Sequence, residues 1–149
     1  MRGTPMPLDL TPSARPHGAQ RMLSATTLTI EALVVLFAAL AAHQLVPEHR
    51  GVTWALAGST GLALLATAGL LRRGAWPYVL GALLQIPMIA MGAVIPAMWV
   101  LGPAFALLYV YGVIRGHRWD AEKDAVDARV LAERAAEDSA AGGGADRAS

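Results

Sequence analysis

The sequence predicts an all-α membrane protein: an up-down four-helix transmembrane bundle with a cytoplasmic C-terminal helix. Three observations predict it. The charges of the 149-residue chain are confined to its ends, for residues 22 to 116 hold only Glu31, Glu48, Arg50, Arg72, Arg73 and Arg115, and the other seventeen lie in the tails. Charged residues make up 15% of the chain, against about a quarter in an ordinary soluble domain. The apolar middle is cut by turn residues into runs that match a membrane, since about 20 helical residues cross a hydrocarbon core of about 30 Å.

Residues 1 to 20 hold four prolines with scattered glycine, serine and threonine. Such a stretch buries too little apolar surface to order itself, so it is expected to be a disordered N-terminal tail. Span one is expected over about residues 23 to 45, interrupted only by Glu31, His43 and Gln44. A polar turn, Pro47 to Gly51, follows. Span two covers about residues 52 to 71 without a charge, and Arg72, Arg73 and Gly74 form the next turn.

From Ala75 to Ile114 no charge appears, too long for one crossing and right for two. The break is expected between Gly92 and Pro96, giving span three at about 76 to 92 and span four at about 96 to 114. Pro77 suits the first turn of span three. Pro87 and Pro103 fall inside spans three and four, and each should kink its helix, near Leu83 and Trp99 respectively. Soluble core helices and buried parallel strands both fail for this set. Four long runs rich in Ala, Leu and Gly, joined by short turns, leave no polar face for water and are too long for strands.

Beyond Arg115 both charge signs appear. Arg129/Glu133 and Arg134/Asp138 sit four apart, which supports a solvated cytoplasmic helix over residues 117 to 138. Its apolar stripe, Trp119, Val126 and Val130, is thin. A plain continuation of span four and a docking helix for a partner are both open readings. Residues 139 to 149, with three consecutive glycines, are expected to be disordered.

Orientation follows from Lys and Arg. Arg2, Arg15 and Arg21 precede span one; Arg72 and Arg73 lie between spans two and three; Arg115, Arg118, Lys123 and Arg129 follow span four. Arg50 stands alone on the opposite side. Both termini and the middle loop are therefore expected to be cytoplasmic, in the inner (plasma) membrane, with Arg21, Arg72, Arg73, Arg115 and Arg118 setting the topology. Trp54 and Trp99 mark the outer interface, and Trp76, Tyr78, Tyr109, Tyr111 and Trp119 the inner one. The run Leu33 to Leu40 with its following small residues has the form of a signal-peptide core. The long Pro-rich leader and Glu31 argue against cleavage.

Glu31 is the residue most suggestive of a site. It lies about 21 Å inward of Leu45 at 1.5 Å per residue, where an ionisable side chain is costly and faces a partner or a wet cavity. A start of the helix near Thr29 would instead leave it at the interface, in the first turn. Counting from Arg21 and Arg73 places Glu31 and Gln85 at similar depth on two helices running the same way. Counting back from Arg72 brings Ser59 and Thr60 to that level. The expectation is an intramembrane polar layer with a Glu31–Gln85 hydrogen bond and Ser59 or Thr60 nearby, structural or functional in role. Ser24, Thr27, Ala38 and Ala42 share the face of Glu31 and would admit a close neighbour.

No enzyme signature is present: no nucleophile–histidine set, metalloprotease motif or phosphate loop. The chain has no cysteine, and its four histidines lack the spacing of a metal site, so neither metal nor cofactor is expected. No basic patch suits nucleic acid. The expected surroundings are the lipid bilayer and either a homo-oligomer or a membrane-protein partner.

The stretch from Arg21 to Val35, RMLSATTLTIEALVV, resembles the opening of a family of small actinobacterial membrane proteins, domain of unknown function 4233. The Arg72/Arg73 turn, Trp76, Gly81, Gln85 and the run GPAFALLY from Gly102 to Tyr109 are also similar to that family's pattern. The resemblance covers about residues 20 to 118 and implies a four-helix membrane protein; no activity comes with it. Two functions stay open: a non-enzymatic, partner-binding or accessory membrane component, or an oligomeric small transporter or channel subunit using the layer at Glu31 and Gln85.

Overall fold

A computed structural model of the chain describes residues 18 to 45 and 47 to 145, with side chains described through Ser139. Five α-helices follow one another: α1 (Ala19–Leu45), α2 (Arg50–Leu70), α3 (Trp76–Leu83), α4 (Gln85–Ala90) and α5 (Met98–Ala145). Short 3₁₀ turns at Pro47–His49, Leu71–Arg73 and Met91–Ala93 link them. Together α3 and α4 make one membrane-length element, so the bundle has four helices long and apolar enough to cross a membrane. No strand occurs among the described residues. Phe37, Leu62 and Leu107 are 65%, 71% and 73% exposed. In water so many bare apolar side chains would drive aggregation, whereas hydrocarbon is their matching solvent.

Small residues set the packing. On α2 the buried face is Thr53, Ala57, Thr60, Leu64 and Thr67, continued by Leu71, with each step three or four residues. The buried face of α1 includes Leu28, Ala32, Val35, Ala38, Ala39 and Ala42. Alanine and threonine let backbones approach, which is how helices associate where lipid removes the hydrophobic drive. α1 packs against both α2 and α5, and α4 closes against α5. A Cβ on Gly116 would lie 2.4 Å from Cα and 2.7 Å from N of Gln20. Only glycine therefore permits α5 to cross the start of α1 at this separation.

The break expected from Pro87 falls at Leu84, between α3 and α4. Proline has no N–H to give the preceding turn, and its ring crowds that turn's carbonyl. Pro103 does not break its helix: α5 begins at Met98, so the carbonyl Pro103 leaves without a donor belongs to the first turn.

Several expected boundaries are corrected. Span four starts at Met98 rather than 96, because turns through Ile95 and Pro96 occupy the connection. α1 starts at Ala19, inside the stretch assigned to the N-terminal tail, because Asp120 supplies acceptors for its first N–H groups. The rest of that assignment, residues 1 to 17, lies outside the described residues. The solvated helix continues span four, one of the two readings left open, for α5 is one helix of 48 residues. It runs through 139 to 145, where disorder was expected; alanines at 135, 136, 140 and 141 favour helix, and no proline stops it. Residues 146 to 149 lie outside the described residues.

Candidate functional site

The site lies in the bundle interior. Gln20, Ser24, Thr27 and Glu31 follow one another on α1 at helical spacing, and all four are buried. Glu31 is fully buried, and Gln85 is 4% exposed. Gln85 opens α4 directly after the Leu84 break. Its Nε2 donates to Glu31 Oε2 at 2.8 Å and reaches the carbonyl of Gly81 at 3.4 Å. One amide side chain thus ties α1 to the broken third span.

Two tyrosines extend this interior. Tyr109 Oη, from α5, donates to the backbone carbonyl of Tyr78 at 3.0 Å. A Cβ on Gly81 would collide with that hydroxyl, so the glycine makes room for the phenol. Both rings were expected in the inner aromatic belt. They are 2% and 1% exposed and belong to the core instead. Tyr111, half a turn from Tyr109, keeps an exposed position.

At the arginine-bearing end, Asp120 closes the column. Its Oδ1 accepts from the Ala19 N–H at 2.7 Å and its Oδ2 from the Gln20 N–H at 3.0 Å. A carboxylate on the first N–H groups of a helix satisfies donors that have no partner within the helix and complements the helix dipole. Asp120 is 2% exposed, and residues 121 to 139 beyond it are all exposed.

Several polar atoms of this interior have no hydrogen-bonding partner: both side-chain polar atoms of Gln20, Ser24 Oγ, Tyr78 Oη, Glu31 Oε1 and Gln85 Oε1. An unpaired buried donor or acceptor costs about 1–3 kcal/mol.

Ser59 does not join the layer. It is exposed, and its Oγ donates back to the carbonyls of Ala55 at 2.7 Å and Leu56 at 3.1 Å. Thr60 is buried on the interior face of α2. Adjacent helical residues point about 100° apart, and here the interior face of α2 takes Thr60 and leaves Ser59 outside it. Glu31 Oε1 takes no hydrogen bond, so neither hydroxyl bonds to it there.

The arginines named for topology gather at one end. Arg21 lies in the first turn of α1, Arg72 and Arg73 in the turn after α2, and Arg115 and Arg118 on α5 beside the Asp120 cap. The Arg115 guanidinium stacks over Trp119 at 5.6 Å. At the other end His43 accepts from Trp54 Nε1 through Nδ1 at 3.2 Å, while its carbonyl accepts from Arg50 Nε at 2.9 Å. That histidine thus closes the α1–α2 turn. No cluster of three or more metal-ligating side chains occurs among the described residues.

Asp120 and the two tyrosines escaped the reading of the sequence. A family model described as a protein of unknown function, DUF4233, matches residues 21–125. Neither the curated proteins nor the solved structures include a match.

Proposed function

The chain belongs to this family of unknown function, and from that premise we propose that it is a non-enzymatic membrane component whose bundle anchors a long helix for a protein partner. One observation carries the reading. Past Asp120, α5 continues out of the bundle, and residues 121 to 139 are all exposed. Nineteen helical residues extend about 28 Å. Val126 and Leu131 are 61% and 66% exposed there, and Val130 lies one turn from Val126. Little within the bundle supports this stretch, and a partner covering its apolar positions would stabilise it.

The proposed setting is the cell membrane, with the arginine-bearing end, both termini and the α5 extension in the cytoplasm. The bias of arginine toward that end supports this orientation. The test is purification of the full chain from its own membranes in mild detergent, beside a triple variant Val126→Ser, Val130→Ser, Leu131→Ser. The reading expects one heterologous protein in stoichiometric amount with the wild type, lost from the variant while the bundle stays folded. A homo-oligomer unaffected by the three changes contradicts it.

The unpaired Glu31 Oε1 and Gln85 Oε1 favour a second reading, a small oligomeric transporter or channel subunit. Buried carboxyls within membrane helices commonly mark proton or solute paths. Proteoliposome flux that falls in Glu31→Gln supports it; equal flux, or none, counts against it.

A further inference from the structure

The outer surface of the bundle carries a feature unrelated to the polar interior. Two hollows lie along the seam between α1 and α2. One, of about 370 Å³, sits at the arginine-bearing end between Arg21 and Ala25 on α1, Gly69 on α2 and Arg72 in the turn that follows. The other, of about 210 Å³, lies further along and is walled by Leu33, Leu36, Trp54 and Leu65, with Gly58 and Gly61 among its lining.

The two hollows are in register. On α1 their walls come from positions 21, 25, 29, 33 and 36, and on α2 and its following turn from 54, 58, 61, 65, 69 and 72. Each step is three or four residues, so each series is one stripe along its helix. The two hollows therefore line up along one seam, with Arg21 and Arg72 lining the first and mostly apolar side chains the second. From position 21 to 36 it spans about 22 Å, more than one leaflet of a ~30 Å hydrocarbon core. Glycine keeps it open: a Cβ on Gly58 or Gly69 would meet nothing within 4 Å, and one on Gly61 only the Ala32 carbonyl, at 3.8 Å.

No hydrogen bond joins the Arg21 or Arg72 guanidinium to another described residue, and the Asp120 carboxylate at that end takes the Ala19 and Gln20 N–H groups. Two arginines facing one hollow repel each other and offer a fork of donors suited to a phosphate. A water-soluble anion would satisfy the arginine end and leave the apolar length uncovered. A second copy of the chain would cover the length and bring two more arginines to that end.

We propose that the α1–α2 groove is a binding site for one anionic phospholipid, with its phosphate between Arg21 and Arg72 and an acyl chain lying over Gly69, Gly61 and Gly58. Basic recesses between membrane helices on one leaflet are suited to anionic headgroups. The site uses no residue of the Glu31–Gln85 interior and none of the α5 extension.

The test is native mass spectrometry of the full chain in mild detergent, titrated separately with phosphatidylglycerol and with phosphatidylcholine of equal chain length. One phosphatidylglycerol per chain is expected, in preference to phosphatidylcholine. Arg21→Gln with Arg72→Gln should weaken its retention roughly ten- to thirtyfold, at about 1 kcal/mol per arginine. Arg73→Gln with Arg118→Gln, removing the same charge outside the groove, should weaken it far less. Gly58→Leu, which fills the groove and leaves both arginines, should weaken it too. Equal retention of the two lipids overturns the proposal, as does equal loss from the two arginine pairs. It is likewise overturned if inorganic phosphate displaces the lipid completely, or if Gly58→Leu changes only a monomer–dimer balance.

Discussion

Gln85 reaches Glu31 across 2.8 Å from the first residue past the Leu84 break, so the interhelical bond and the proline-induced interruption of the third span belong to one local design. Pro87 shortens α3, and α4 starts with the amide already facing α1. Truncating either partner strands the other in a buried place. Glu31→Ala and Gln85→Ala should each lower stability in mild detergent by about 1–3 kcal/mol. Their double variant should lose less than the two together, with a coupling on the order of 1 kcal/mol. Unfolding in graded denaturing detergent measures all four corners. A coupling near zero would separate the bond from the bundle's stability.

Asp120 joins α5 to the start of α1 by taking the N–H groups of Ala19 and Gln20. Asp120→Ala should cost about 0.5–2 kcal/mol, as loss of a helix cap does. Asp120→Asn, which keeps one acceptor oxygen, should cost less. Hydrogen exchange would locate the effect, with faster exchange in the first turn of α1 and little change in α4.

Gly116 and Gly112 both lie on α5, but their surroundings differ. A Cβ at 116 would run into the Gln20 backbone, whereas one at 112 would make an ordinary contact with Leu23 Cβ at 3.7 Å. Gly116→Ala should destabilise by about 1–3 kcal/mol, the range for forced overpacking. Gly112→Ala should be neutral or mildly stabilising, since alanine favours helix by roughly 1 kcal/mol over glycine. Thermal unfolding of the two single variants checks the contrast.

The contrast shows what a sequence can carry in a membrane bundle. The number of membrane-length apolar helices and the break before Pro87 are legible because crossing lipid needs a minimum apolar length and proline leaves a fixed lesion. Depth is also legible: counting from Arg21 and Arg73 puts Glu31 and Gln85 at one level, and there they bond. Facing is harder. Ser59 and Thr60 are neighbours, yet only Thr60 turns inward, and Tyr78 and Tyr109, expected in the inner belt, are buried in the core. Asp120 lies beyond the span, where depth counting ends, and its partner is backbone, which leaves no trace in residue types. The continuation of α5 through three glycines was hidden because composition alone favoured a disordered end.

Tyr109 Oη holds the Tyr78 carbonyl, and Tyr111 is exposed nearby. Tyr109→Phe should cost about 1 kcal/mol, the usual net worth of one hydrogen bond. Tyr111→Phe should stay within about 0.5 kcal/mol of wild type, as exposed substitutions do. Paired unfolding curves under the same detergent conditions decide it.

The central functional claim is that the uncovered part of α5 meets a protein partner while the bundle serves as its anchor. Photo-crosslinking in native membranes tests this most directly, with the reactive residue placed at Val126 in one chain and at the bundle-surface position Leu107 in another. The account expects a single heterologous adduct from position 126, absent from position 107 and unchanged by Glu31→Gln. Adducts at 126 only to a second copy of the chain, or none while 107 labels lipid, would contradict it.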